Sequence, residues 1–199
     1  STTITYHRET GTLASITNAR GETIAFTYTP QEQTTTTPYE TSATFTFYNL
    51  TRVDYPDGTH EESTYDERGN VISRTDRAGM TRTYTYNDAG QVLTATNPAG
   101  GVVTFTYNDD ATLASRANSE SGTTTFAYDE YKRLAQITRP EPAPSTGSGQ
   151  ALSGAEGNSA VQIAYDLADR LTSLTDENGS TYAYEYDANG NLIKVTDPV

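Results

Sequence analysis

Residues 65–71 are Tyr-Asp-Glu-Arg-Gly-Asn-Val, and the distant residues 186–192 repeat this pattern as Tyr-Asp-Ala-Asn-Gly-Asn-Leu. The tyrosine that opens both stretches recurs at intervals of 21 residues, at Tyr65, Tyr86, Tyr107 and Tyr128 and again at Tyr165 and Tyr186. An aliphatic residue follows six places after each of them, at Val71, Val92, Leu113, Leu134, Leu171 and Leu192. A repeat kept in phase over so many units indicates a chain built from one small structural unit.

Each unit has the pattern of two β-strands and two turns. In residues 81–86, Tyr84 and Tyr86 share one face of an extended chain, and Thr83 and Thr85 share the other. Such alternation of aromatic and β-branched residues is typical of a strand. The tyrosine is followed by Asp or Asn and then commonly by Gly, which favours a tight turn. The sequence therefore predicts an all-β fold of tandem 21-residue antiparallel hairpins, with strands near 81–86, 102–107, 123–128 and 181–186.

The second strand of each unit is less regular. Leu134 and Ile137 are three residues apart, as are Leu171 and Leu174. Strict alternation would place the members of each pair on opposite faces. Either a β-bulge turns both toward one face, or both faces are partly covered.

Two insertions interrupt the period. Residues 30–43 are rich in Thr, Gln and Glu, and residues 139–158 are rich in Pro, Gly, Ser and Ala. Both are predicted to be long loops within a single array over residues 1–199, because the repeat resumes in phase after each of them.

Charge and composition exclude several function classes. The net charge is −13, and the 13 basic residues form no cluster, which argues against binding to nucleic acid. The chain has no Cys, so disulfide frameworks and thiolate metal sites are excluded. No apolar run is long enough to span a bilayer, so we expect no membrane insertion. We also expect no cofactor and no metal.

Three groups of side chains are candidates for a site. The six repeating tyrosines, Tyr65, Tyr86, Tyr107, Tyr128, Tyr165 and Tyr186, could stack on sugars or hold an unfolded polypeptide, but cross-strand packing is the favoured interpretation. The turn acids could bind Ca²⁺, but Asx-turn hydrogen bonds explain them better; they are Asp66, Asp88, Asp129, Asp166 and Asp187. His7 and His60 lie in the two most divergent units and nothing repeats around them, so we expect surface positions and no enzymatic activity.

The motif Tyr-Asp-x-x-Gly-x-Leu, found at 186–192 and with Val in place of Leu at 65–71, resembles the RHS/YD repeats. Residues 52–58, Arg-Val-Asp-Tyr-Pro-Asp-Gly, resemble a variant of the second turn in that family. The family includes bacterial polymorphic toxins, components of insecticidal toxin complexes and animal teneurins. The resemblance implies a curved, spiralling sheet or part of a hollow shell, which in the toxins encloses a C-terminal toxic domain. The family's toxins also have an aspartyl autoprotease, but no residue here matches its signature.

The resemblance implies a non-catalytic shell segment that encapsulates or presents another polypeptide, such as a toxin domain. Its partner would be the remainder of a longer YD-repeat polypeptide or the toxin payload. The alternative is a carbohydrate- or cell-surface-binding adhesin module with a cell-surface glycan as its ligand. Either role implies a secreted or cell-surface protein, exported by a signal or system that is not visible in the sequence.

The ends of the sequence match half-hairpins. Residues 1–6 match the second strand of a unit, and residues 191–197 match a first strand. The sequence then either belongs to a longer array with two open edges, or its two half-hairpins pair and close the sheet. We favour the longer array.

Overall fold

A computed structural model describes residues 1–36, 42–140 and 159–198. Contacts between Cα atoms group the chain into two units, Ser1–Val102 and Val103–Val199. The described residues are strands and turns without any helix, so none of them forms an apolar helix that could cross a membrane. The all-β class is confirmed, whereas the description as one array over residues 1–199 stays a prediction.

The first unit contains antiparallel strands that are hydrogen-bonded in chain order. They are β1 (Thr3–Tyr6), β2 (Leu13–Thr17), β3 (Thr23–Thr36), β4 (Ser42–Asp54), β5 (His60–Tyr65), β6 (Val71–Thr75), β7 (Thr81–Tyr86) and β8 (Val92–Thr96). Each strand pairs only with its chain neighbours, and all except β3 and β4 are short. The unit therefore consists of tandem hairpins, as the period predicts.

The second unit repeats this arrangement, again with antiparallel neighbours in chain order. Its strands are β9 (Val102–Tyr107, whose first residue closes the first unit), β10 (Leu113–Asn118), β11 (Gly122–Tyr128), β12 (Leu134–Arg139), β13 (Ser159–Tyr165), β14 (Leu171–Thr175), β15 (Thr181–Tyr186) and β16 (Leu192–Thr196). The four strands predicted from the sequence are confirmed to within one residue.

A β-bulge lies beside each of the six repeating tyrosines, which stand at the end of the first strand of their hairpins. Tyr6 and Tyr28 have the same bulge. In the β11–β12 pair, Tyr128 lies opposite Leu134, but Ala127 lies opposite Gln136, so Ala135 is an extra residue. Beyond the bulge, Phe126 lies opposite Ile137. Leu134 and Ile137 therefore share the face of Tyr128 and Phe126, which confirms the first of the two explanations for their spacing.

The two faces of each hairpin differ in chemistry. The tyrosine face carries the repeating tyrosines and their aliphatic partners. The threonine face carries hydroxyl pairs across the strands, such as Thr85 with Thr94 at 2.7 Å and Thr175 with Thr181 at 2.8 Å. Among the described residues, no side chain is fully buried. Neither face therefore forms the closed core of an ordinary globular domain.

The prediction of a loop at 30–43 is wrong for residues 30–36 and 42–43. There β3 and β4 continue as one ladder, in which Thr36 lies opposite Ser42. The reason is that the many Thr residues suit an extended chain, and Thr34 and Thr44 pair through their hydroxyls at 2.9 Å. We call residues 29–36 with 42–49 the arm. Residues 37–41 lie outside the described residues.

The second predicted loop, 139–158, falls mostly outside the part of the chain that the structure describes. Arg139 is the last residue of β12, and Pro140 follows it. Residues 141–158 are not among the described residues, so their loop character stays a prediction.

Candidate functional site

The six candidate tyrosines occupy equivalent positions, and all are half-buried. Each lies opposite the aliphatic residue six places later, as Tyr65 lies opposite Val71 and Tyr165 opposite Leu171. Tyr65 and Tyr86 belong to the first unit; Tyr107, Tyr128, Tyr165 and Tyr186 belong to the second. Within each unit, the register therefore places them on the tyrosine face.

Two of these tyrosines bind the backbone of the preceding hairpin. The Tyr65 hydroxyl donates to the Leu50 carbonyl at 2.7 Å, and the Tyr86 hydroxyl donates to the Val71 carbonyl at 2.7 Å. Burial also raises the pKa of the Tyr86 phenol above its usual value. These contacts favour packing over ligand binding, and a binding role for the six tyrosines stays a prediction.

A second apolar row stands two residues before the tyrosines. Its members are Ile4, Phe26, Tyr84, Phe105, Phe126, Ile163 and Tyr184. In β5 the polar Ser63 stands at this position instead. A hollow of about 200 Å³ beside Ser63 is lined by Leu50, Val53 and Val71. Glu61 and Arg74 also line it and pair at 3.1 Å. Ser63 therefore marks a gap in the apolar surface of the tyrosine face.

Filling this gap is expected to stabilise the first unit. Replacing Ser63 with phenylalanine restores the residue type of the other hairpins and should raise the free energy of unfolding by about 1 kcal/mol. Thermal and urea unfolding would measure it. The matched control is Thr64→Phe, which adds the same ring to the threonine face and should give no gain. A loss of stability for Ser63→Phe alone would show that the hollow is needed as it is.

Arginines join successive turns of the second unit. Arg133 donates to Asp129 of its own turn at 2.7 Å and to the Asp166 carbonyl of the next turn at 2.7 Å. Its guanidinium also lies over the Tyr165 ring, 4.8 Å from the centroid. Arg170 repeats the pattern with Asp166 and with the Tyr186 ring. The sequence analysis missed these residues, although both stand five places after a repeating tyrosine.

Because a guanidinium can bind both turns at once and stack on the ring, lysine is not an adequate replacement for Arg133. We expect Arg133→Lys to lower the thermal midpoint clearly. The same exchange at Arg116, which is exposed, should leave the midpoint nearly unchanged. Equal midpoints for the two variants would show that the arginine does not stabilise the junction between turns.

The turn acids mostly make the predicted Asx-turn bonds. Asp66 accepts from the backbone N–H of Arg68 at 2.9 Å and of Asn70 at 2.8 Å. The hydrogen bond from the Asn70 side chain, with those from the backbone, holds the pKa of the Asp66 carboxyl below its usual value. Equivalent bonds form at Asp129, Asp166 and Asp187.

Asp88 is the exception among the turn acids. The turn in that hairpin is made by Asn87, which accepts from Ala89 and Gln91. Asp88 stands one place later in the turn and accepts from Arg68 at 2.9 Å. The Asx interpretation is therefore wrong for Asp88, because its neighbour Asn87 occupies the position after the tyrosine. Across the described ranges, no cluster of three metal-binding side chains occurs.

The two histidines lie in different surroundings within the first unit. His7 is exposed, with its Nε2 atom 3.4 Å from the Phe26 carbonyl and its ring edge-on to Tyr28. The Nε2 atom of His60 lies 3.7 Å from Glu62, whose carboxylate also accepts from Arg52 at 2.6 Å. His60 thus belongs to a small charged group on the threonine face.

Comparison with known proteins agrees with the repeat. The family model for the RHS repeat matches residues 65–102 and 165–199. A search of curated proteins finds no match. Among solved structures, a crystal structure of TcdB2-TccC3-TEV has a TM-score of 0.57 at 14% identity, over 98% of this chain and 13% of the other.

A crystal structure of TcdB2-TccC3 without its hypervariable C-terminal region is similar to the same extent. It has a TM-score of 0.55 at 14% identity, over 98% of this chain and 11% of the other. At this identity the likeness concerns the fold. The chain spans only about an eighth of these structures or less. The match to the repeat model identifies residues 65–102 and 165–199 as RHS repeats, and the solved structures share the fold.

Proposed function

We propose that the chain is a non-catalytic wall segment of a β-shell, whose tyrosine face lines the interior and contacts an enclosed polypeptide. The observation that carries the proposal is the apolar composition of the tyrosine face together with its incomplete burial. Apart from the gap at Ser63, aromatic and aliphatic residues recur on this face in hairpin after hairpin, yet none of its described side chains is fully buried. An extended apolar surface that stays partly exposed is typical of a surface that another molecule covers.

The contrast between the faces supports the choice of interior. On β9, Val103, Phe105 and Tyr107 of the tyrosine face are half-buried, whereas Thr104 and Thr106 of the threonine face are exposed. Side chains crowd together on the concave side of a curved sheet, so the more covered face is the better candidate for the inside. The hydroxyls of the threonine face suit contact with water.

The register supports a coiled sheet. Ser63 lies opposite Arg74, which lies opposite Arg82. Ser63 stands two places before Tyr65 and Arg82 four places before Tyr86, so each hairpin is displaced by two residues relative to the one before. The second unit has the same displacement through Ile163, Leu174 and Tyr182. Strands displaced steadily in one direction tilt, as they do in closed sheets.

The wider assembly is part of the proposal. The chain covers a small share of the structures it resembles in fold, which supports a longer YD-repeat polypeptide as its immediate partner. By family resemblance, the enclosed partner is a toxin domain of a secreted or cell-surface protein. The net charge of −13 helps keep such a protein soluble.

Photo-crosslinking in the complete parent polypeptide tests the proposal. Benzoylphenylalanine placed at Tyr84 points to the tyrosine face, and the same residue at the adjacent Thr83 points to the threonine face. We expect mass spectrometry to find crosslinks from position 84 to a segment outside the repeats, and none from position 83. Crosslinks from position 83 alone, or from neither position, would refute the enclosed contact.

A further inference from the structure

The arm creates a cleft on the threonine face of the first unit. It passes over the turn of the next hairpin, where Gln31 donates to the Asp66 carbonyl at 2.9 Å. Phe47 also contacts this turn, since a Cβ built on Gly69 would lie 3.0 Å from its ring. Between the arm and β5 a cleft of about 590 Å³ remains. Small-ligand sites usually have volumes of roughly 300–1,000 Å³.

Polar groups that both donate and accept hydrogen bonds line this cleft. The arm contributes the amides of Gln31 and Asn49, which are joined at 2.6 Å. The strands below contribute the hydroxyls of Thr27, Thr51 and Thr64. Pro30 and Tyr65 add apolar residues to the lining.

The charges in the cleft disfavour an anionic ligand. Its one basic side chain, Arg52, already pairs with Glu62 at 2.6 Å and with Asp54 at 2.7 Å. Glu67 adds a further negative charge to the lining. A metal ion is also disfavoured, because the described side chains include no group of three suitable ligands. Since the one basic group is already paired and the rest of the lining is mainly hydroxyls and amides, we favour a neutral ligand rich in hydroxyl groups.

We propose that this cleft binds an uncharged saccharide, such as the end of a neutral glycan. Sugar hydroxyls donate and accept at once, as do the Thr hydroxyls and the Gln31 and Asn49 amides. The ion pair holds the Glu62 carboxylate and the Arg52 guanidinium in place, so that a hydrogen-bond acceptor lies beside a donor. Pro30 and Tyr65 provide the apolar part of the lining for sugar C–H groups. Ser63 and Tyr65 also border the cleft, but most of its polar groups belong to the threonine face, so the inference goes beyond the proposed wall function.

The test uses the whole 199-residue chain and four neutral disaccharides: lactose, maltose, cellobiose and diacetylchitobiose. Titration calorimetry and saturation-transfer NMR should show saturable binding of at least one, with a Kd of about 1 mM or lower. Thr64→Tyr fills the floor of the cleft and should weaken that binding by about tenfold or more, the equivalent of about 1.4 kcal/mol. The matched control is Thr85→Tyr, at the same position of the next hairpin and outside the cleft, which should bind as the parent does.

A second variant keeps the test valid if Thr64→Tyr does not fold, which circular dichroism would reveal. Asn49→Ala removes an amide without adding bulk and should also weaken binding severalfold. The proposal is overturned if none of the four disaccharides binds saturably. It is equally overturned if a bound sugar is held as tightly by the folded Thr64→Tyr and Asn49→Ala variants as by the parent.

Discussion

Replacing Tyr86 with alanine is expected to lower the free energy of unfolding by about 2–4 kcal/mol, the range for truncating a packed aromatic side chain. The ring is half-buried on the tyrosine face opposite Val92. Its hydroxyl donates to the Val71 carbonyl of the preceding hairpin at 2.7 Å. The substitution therefore removes packing within one hairpin and a hydrogen bond to the preceding one. Urea unfolding followed by circular dichroism would measure the loss.

Two control variants separate these contributions. Tyr86→Phe keeps the ring and removes only the hydroxyl, so it should cost about 0.5–1.5 kcal/mol. Thr85→Ala removes a neighbouring side chain from the threonine face and should cost less than Tyr86→Ala. If Tyr86→Ala and Thr85→Ala are equally stable, the tyrosines do not hold the hairpins together.

Replacing Gly69 with valine should destabilise the first unit by about 2–3 kcal/mol, because β-branched residues strongly disfavour positive φ. Gly69 has a φ of 84° in the turn between β5 and β6. A Cβ there would also lie 3.0 Å from the Phe47 ring of the arm, so that ring must shift. Thermal and chemical unfolding would both report the effect.

Gly79→Val is the matched control for this prediction. Gly79 has a φ of 79°, but no other atom lies within 4 Å of a Cβ built there. Gly79→Val loses stability only through backbone strain. The additional loss of unfolding free energy in Gly69→Val therefore measures the contact with the arm. Phe47→Ala should remove that excess in the double variant. Equal costs at the two glycines would mean that the arm does not rest on this turn.

The repeat could be predicted because its local signals agree with one another. Alternation in residues such as Thr83–Tyr86 defines a strand, and Asp66 with Gly69 defines a turn, without knowledge of the rest of the fold. The three-residue spacing of Leu134 and Ile137 already pointed to a bulge as one of two explanations. The structure decided between them because the register of the partner strand is a tertiary fact that the spacing does not contain.

The arm and the junctions between turns could not be predicted in the same way. Residues 30–36 lack the apolar alternation of the other strands, so their Thr and Gln content was mistaken for a loop. Arg133 binds the Asp166 carbonyl, 33 residues away in the chain. Arg170 binds the Asp187 carbonyl, 17 residues away. Such contacts depend on which hairpins lie side by side. The cleft under the arm arises from the same long-range arrangement, so no local motif marks it.

Cysteine labelling tests the central claim, that the tyrosine face lines an enclosed interior, most directly. The chain has no Cys, so Ser63→Cys and Thr64→Cys place single thiols on adjacent residues of opposite faces. Reaction with a large polyethylene-glycol maleimide is compared between the isolated chain and the complete parent polypeptide. We predict that Thr64→Cys reacts equally fast in both, and that Ser63→Cys reacts at least about tenfold more slowly in the parent, because the reagent must wait for the shell to open. Equal protection of both thiols, or protection of Thr64→Cys alone, would contradict the account.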